Sequence, residues 1–311
     1  MPAALLAALL FSISAICGYR SSKQIGGAEA NFWRICIAAF FLALWAHIFG
    51  DGLAGAAFPL FVVSGFFGIG LGDTGYFQAL PRLGSRRAVL LVQCFIPPFA
   101  ILIEWLWLGT TLTVKELLCV AIILTGVAVA LAPSDHAKIL PRQLWIGIFF
   151  TIFAALCSAF GAVLSRKAYA VAHAAGEFPD PGTTGYQRVL GGMLIPAVIL
   201  IAAKWRSVHA HGGVFEEKTF HVSRDKWRRI WPWVLGNSLA GQTLGVTCVQ
   251  WALEKMPTGI VMAIVATTPI VLLPMTRVVD GEKIGLRSLA GAVIAVAGVI
   301  GLTYFTSIHE N

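Results

Sequence analysis

Ten stretches of the chain are apolar on every side, with neither the alternation of a half-buried strand nor the single stripe of a surface helix. They run over roughly 3–19, 29–48, 57–79, 87–108, 114–132, 143–164, 185–204, 231–253, 258–279 and 285–305. Each approaches the ~20 residues that an α-helix needs to cross a bilayer. A segment surrounded by lipid must satisfy its own backbone N–H and C=O groups, so these spans are helices. The pattern predicts an all-α integral membrane protein with about ten transmembrane helices. The first stretch opens Met1-Pro2-Ala3-Ala4 without a basic flank, so it is read as a helix rather than a cleaved signal.

Composition strengthens this picture. Charged residues are 12% of the chain and apolar ones 58%, whereas soluble domains carry about 25% charged residues. The 32 glycines suit close packing between membrane helices. Prolines 97, 98, 196, 269 and 274 fall inside spans, where neighbouring helices repair the backbone. All six cysteines (17, 36, 94, 119, 157 and 248) also fall there, without metal-ligand spacing, and read as small apolar residues. A net charge of +8 raises the question of nucleic acid. The basic residues sit in short connections, however, where they act as topology signals, and no nucleic-acid partner is expected.

Those charges are unevenly divided. Connections after odd-numbered spans, with their flanks, hold seventeen Lys and Arg, against four (Lys115, Arg166, Lys167, Lys255) after even-numbered ones. Without the long polar connection 205–230 the division is still ten to four. The positive-inside rule puts the odd connections in the cytoplasm and both termini outside the cell membrane.

The second half repeats the first. Ser14-Ala15, Ser21 and Lys23 match Ser158-Ala159, Ser165 and Lys167, and Arg34 matches Arg188. Gly68-xxx-Gly72, then Ala79-Leu80, matches Gly241-xxx-Gly245, then Ala252-Leu253. Pro97 matches Pro269, while Gly109 and Gly126 match Gly281 and Gly298. Each match is weak alone, but their common order is not a chance feature. The boundaries are 1–133 and 143–306, with 205–230 a long loop inside the second unit. Five helices per unit insert the second copy upside down. That is the inverted-repeat plan of secondary transporters, with the site near the midplane between the copies.

The run Gly72-Asp73-Thr74-Gly75-Tyr76-Phe77-Gln78-Ala79-Leu80, with Leu83-Gly84-Ser85-Arg86-Arg87-Ala88, Pro97 and Leu108-Gly109, resembles the EamA-type domain of the drug/metabolite transporter superfamily. Ala252-Leu253, Pro269, Gly281-Glu282 and Gly291 to Gly298 carry the likeness through the second copy. The resemblance implies a ten-helix transporter of small organic solutes, often an exporter of amino acids or metabolites, with both termini in the cytoplasm. Two features depart from it: Thr110 stands where an acidic residue is usual, although Glu282 is kept, and loop charge places the termini outside.

Ionisable groups inside spans are costly and are candidates for function. Arg34 and Asp73 lie at matched depth on the side of the odd connections, which predicts a pair. Glu104 and Arg188 lie at similar depth on the other side, which predicts a second pair. The bland alternatives are arginines snorkelling to headgroups and a Glu104 held at the interface between Trp105 and Trp107. Tyr76, Gln93 and Gln242 complete the candidate binding or gating set, and Gln78, Asn237, Thr243 and Gln250 are further neutral polar groups. The competing role for these is hydrogen bonding between helices. Pro97 and Pro269 read as symmetric kinks, and Gly68, Gly72, Gly241 and Gly245 as packing sites. Trp231 and Trp233, with the other two tryptophans, read as interface anchors. His209, His211 and His221 read as a solvated loop segment rather than a metal site.

No GxxxxGK[ST] loop is present, so no ATP-driven step and no cofactor are expected. The first span lacks the embedded glutamate of small multidrug resistance transporters, which leaves Asp73 or Glu104 for any coupling proton. The other classes are a lipid-modifying membrane enzyme, which would need a cluster such as HExxH or GxSxG, and a channel, which would need rings of like residues. Neither signature is visible in the sequence.

Overall fold

The computed structural model describes residues 1–25, 27–83, 85–131, 140–210, 224–280 and 285–309. Among them every regular element is helical. The first two spans are α1 (Pro2–Ile25) and α2 (Gly27–Phe49). The third is built from α3 (Phe58–Gly65), a π-helical segment Phe66–Leu71, and α4 (Gly72–Leu83). Next come α5 (Ser85–Leu108), α6 (Val114–Leu131), α7 (Pro141–Ala174) and α8 (Pro181–Ala210). The eighth span again has three parts: α9 (Arg224–Asn237), a π-helical segment Ser238–Gly245, and α10 (Val246–Lys255). The ninth is α11 (Thr258–Val265) with α12 (Thr268–Asp280), and the tenth is α13 (Leu286–His309). Eight stretches are long and apolar enough to cross a membrane. With α8 and the α9–α10 run, ten helical spans are present.

The surface is that of a protein in lipid. Phe40, Phe49, Leu106, Phe149, Ile201 and Ile300 point outward, whereas Ser64, Glu104, Ser165, Arg188, Gln242 and Gln250 are buried. This ordering reverses that of a soluble protein, because lipid offers no partner to a polar group.

The two copies clasp each other through equivalent helices. α1 packs on the eighth span and α12, while its counterpart α7 packs on the third span and α5. α2 meets α8, and each also touches the other copy's π-helical segment. α5 meets α11, and α6 meets α13. The contact pattern survives exchange of the copies, as an inverted repeat requires.

The π-helical segments occupy the same place in each copy; the first contains Gly68 and ends against Gly72, and the second contains Gly241 and Gly245. A side chain at Gly72 would press on Ser158 Oγ and one at Gly241 on Ser14 Oγ. Gly68 lies over Gly161 and Gly245 over Phe11 of the opposing helix. Wide turns of this kind locally shift side-chain register and often mark functional sites. Main chains also meet directly between α6 and α13. A Cβ on Gly126 would strike the backbone of Gly291 and Ala295, and one on Gly291 the backbone of Gly126 and Ala130.

Three boundaries differ from the hydrophobic pattern. The sixth helix continues ten residues past 164, to Ala174, because Arg166 and Lys167 do not stop it. The connection 205–230 is shorter than its polarity implies: α8 continues to Ala210, α9 starts at Arg224, and 211–223 lie outside the described residues. His211 and His221 are among those, as is Glu282; His209 is in the last turn of α8. The proline pair is also unequal. α5 runs on through Pro97 and Pro98, whereas the ninth span breaks at Ala266–Thr267, just before Pro269. At the break the Thr267 and Thr268 hydroxyls donate to the carbonyls of Ile264 and Val265, both at 2.6 Å. These bonds replace ones that a proline nitrogen does not make.

Candidate functional site

Arg34, two turns into α2, reaches across to the first turn of α4. Its Nη2 lies 3.1 Å from Asp73 Oδ2, with side-chain exposures of 18% and 30%, and also donates to Asn31 Oδ1 at 2.5 Å. Ser238 at the start of the second π-helical segment donates to the Arg34 carbonyl at 2.9 Å. The expected pair is therefore formed, and its carrier helix is tied to the opposite copy.

Arg188, the repeat equivalent, has different surroundings. α3 and α8 touch backbone to backbone here: a Cβ on Gly65 would overlap the Arg188 carbonyl, and one on Gly191 the Val62 carbonyl. The side chain, 8% exposed, turns inward over Gly68, whose missing Cβ leaves space for Nη2. Nη1 donates to Ser165 Oγ at 3.2 Å, while Nε has no partner among the described residues. Asp73 acts on Arg188 electrostatically but lies beyond ion-pair distance. The step from Gly72 to Asp73 in the first copy is the step from Gly245 to Val246 in the second, so the acid has no counterpart. A charge at the bilayer centre costs about 2.5–3.5 kcal/mol on insertion scales. Retaining one without an acid therefore needs a reason.

The expected Glu104–Arg188 pair is not formed. Glu104 is 2% exposed rather than interfacial, and its Oε1 lies 2.6 Å from Arg166 Nε. Its Oε2 accepts the Thr258 N–H at 2.7 Å, capping α11 from another span. Arg166 Nη1 donates to the carbonyls of Leu253 (3.3 Å) and Met256 at the end of α10. The cluster joins α5, α7, α10 and α11. The reason for the correction is azimuth: α5 packs on α7 and α11, not on α8. Arg166, assigned to a connection by its polarity, is inside the helix.

Other candidates are scattered. Gln242 and Thr243 are buried in the second π-helical segment, and Oε1 and Oγ1 respectively have no partner among the described residues. Tyr76 packs beside Ala79 and Leu83, and Gln93 is half-buried on α5. Gln78 is exposed and holds Arg82 at 3.0 Å, and Asn237 Oδ1 accepts from Ser14 at 2.6 Å. Trp105, Trp107 and Trp231 are exposed as anchors should be, while Trp233 lies 4.4 Å beneath the Arg20 guanidinium. Sequence reasoning missed Ser64 and Thr258 and gave Ser165 only as a repeat match. That match, with a lysine and an arginine close behind it, was the available signal.

Two further features frame the site. An apolar groove of about 510 Å³ is lined by Phe67, Ile103, Leu106, Trp107, Leu156, Cys157 and Phe160, with no charged side chain among them to recognise a solute. At the start of α8, Asp180 caps the helix that carries Arg188. Its Oδ1 accepts from Gly182 N, Thr183 N and Trp45 Nε1 at 2.9, 3.1 and 2.8 Å, and Oδ2 accepts from the Thr183 hydroxyl. Burial pushes its carboxyl up, but these hydrogen bonds outweigh that and hold it below the usual carboxylate range.

Comparison with known proteins agrees with the fold. A solved structure described only as "Crystal structure of protein" matches at a TM-score of 0.74 and 16% identity, covering 99% of this chain and 98% of that one. No curated protein matches. The family whose sequence model matches is the EamA-like transporter family, over residues 1–132 and 145–304. With nearly its whole length matched and two inverted copies of five spans, the chain belongs to the EamA-like transporter family.

Proposed function

We propose that this membrane transporter moves small organic solutes by alternating access, the two inverted copies rocking about a polar interior. The observation that carries the reading is the reciprocal clasp. Each copy inserts its first helix between the third and fourth spans of the other, and each third span is widened by a π-helical turn at the same position. Exchange of the copies' conformations converts one open face into the other, as inverted repeats allow.

The two ion pairs act as latches on opposite halves of the pathway. Arg34–Asp73 closes the half towards the odd connections, and Glu104–Arg166 closes the half towards the termini. Asp73 and Glu104 are the groups able to hold a coupling proton. The family consists of transporters, and this chain is read as one without catalytic activity. Loop charge supports termini outside the cell membrane. Arg166 and Lys167 both lie within α7, which leaves Lys115 and Lys255 of the four basic residues counted for the even connections.

The test is flux. Purified protein in proteoliposomes, given labelled solutes with and without a pH gradient, should show saturable exchange that Glu104→Gln and Asp73→Asn both slow. Flux that never saturates and ignores both substitutions points to a channel.

A further inference from the structure

We propose that Arg188 is the anion-binding element of the substrate site, taking a carboxylate of the transported solute side-on. This rests on the transporter reading above and names the chemistry of its site. Three independent observations lead to it.

The first is charge. Among the described residues the interior arginines are Arg34, Arg166 and Arg188 and their ion-pairing acids are Asp73 and Glu104: Arg34 is joined to Asp73 at 3.1 Å and Arg166 to Glu104 at 2.6 Å, and no carboxylate lies within 4 Å of Arg188. The centre is therefore one positive charge in excess. One monoanion balances it, whereas a dianionic phosphate overshoots.

The second is the hydrogen-bond chain behind the guanidinium. Ser165 Oγ receives Arg188 Nη1 at 3.2 Å and Gln250 Nε2 at 3.4 Å, which uses its lone pairs. Its own proton then goes to Ser64 Oγ at 2.7 Å, and the Ser64 proton goes to the Gly161 carbonyl at 2.6 Å. The chain ends on a neutral backbone group. It orients the guanidinium without neutralising it.

The third is the edge left over. With Nη1 committed, Nε has no hydrogen bond and Nη2 lies over the bare Cα of Gly68. An Nε–Nη2 edge is one of the faces with which arginine takes a carboxylate bidentately. Gln250 Oε1, also buried without a partner, stands ready for a donor on the same molecule.

The experiment measures thermal stabilisation of the full chain in detergent by carboxylates of two to six carbons, each against its neutral amide. Lactate with lactamide and nicotinate with nicotinamide are the first pairs, and inorganic phosphate and sulfate form a separate arm. Flux of the same solutes is followed in proteoliposomes. The expected result is a melting temperature raised by several degrees by at least one carboxylate and not by its amide. Arg188→Gln should lose that response at least tenfold in half-saturating concentration, and Arg188→Lys should keep part of it. Gly68→Ala, which crowds Nη2, should weaken it without removing the charge. Ligand-free Arg188→Gln should melt no lower than the parent, because it removes an uncompensated buried charge; a folding role predicts the opposite.

Equal responses to acid and amide, an unchanged response in Arg188→Gln, or a response to no carboxylate would each overturn the proposal. So would a larger shift with phosphate or sulfate. In any of these cases saturable flux of neutral solutes leaves the transporter reading standing, whereas absence of all saturable flux removes that reading instead.

Discussion

Arg34 and Arg188 occupy the same position in the two copies and lead opposite chemical lives. The first shares one nitrogen between Asn31 and Asp73, and its helix is fastened through Ser238. The second has a serine hydroxyl and no acid, because the residue equivalent to Asp73 is Val246. A duplicated fold thus keeps the scaffold symmetric while its charges diverge. Among the described residues one arginine is paired with an acid and the other is not. In the reading proposed above, that divergence separates a latch from a site.

The most severe alteration of this contrast is Val246→Asp, which would give the second arginine the acid that the first one has. Transport should fall to background while the chain still folds, as judged by monodisperse elution and flux in proteoliposomes. Retained flux would show that the missing acid is irrelevant. Next comes Glu104→Gln, which leaves the half-buried Arg166 without its counter-charge, at up to about 3 kcal/mol, the low end for breaking a buried pair. Chemical denaturation in mixed micelles should register that loss, and a change within error would remove the latch. Asp73→Asn comes third, at about 1.5–3 kcal/mol for a hydrogen bond to a charged group. Its transport defect should resemble that of Arg34→Gln, and the exchanged pair Arg34→Asp/Asp73→Arg should recover part of the activity; two silent single variants would contradict the pairing.

The smallest effect concerns Asp180, which fixes the helix presenting Arg188. Asp180→Ala should cost about 1 kcal/mol, the usual value for a lost cap. Its carboxyl is held low in the folded state, so its contribution is complete above the ordinary value of about 4 and disappears as pH falls through the folded one. The stability gap between parent and Asp180→Ala should therefore be constant near neutrality and close on acidification. A gap that widens in acid would reverse the sign and discard the cap.

Much of the architecture was legible from hydrophobicity alone, because lipid forces helices of a set length and five per unit forces inversion. Arg34–Asp73 was legible for a related reason: depth follows from counting residues at ~1.5 Å each. Glu104 shows where that method stops. Depth says nothing about azimuth, and α5 turns Glu104 to α7 rather than to α8. Arg166 was hidden because an apolar window ends wherever a charge begins, although a charge with a partner does not end a helix. The π-helical segments left only their glycines as a trace, and glycines are common in membrane helices.

In the proposed alternating access, the seam between α6 and α13 would limit how the halves move. At Gly126 and Gly291 the main chains meet without side chains between them, and Gly298 sits against Ile123 and Cys119 beyond. A joint made of interlocked peptide groups has no lubricating layer, so sliding along it would have to climb over every carbonyl in turn. Swivelling about it costs far less. α3 and α8 meet in the same way at Gly65 and Gly191, so the proposed rocking would turn about two such riveted joints rather than slide along either.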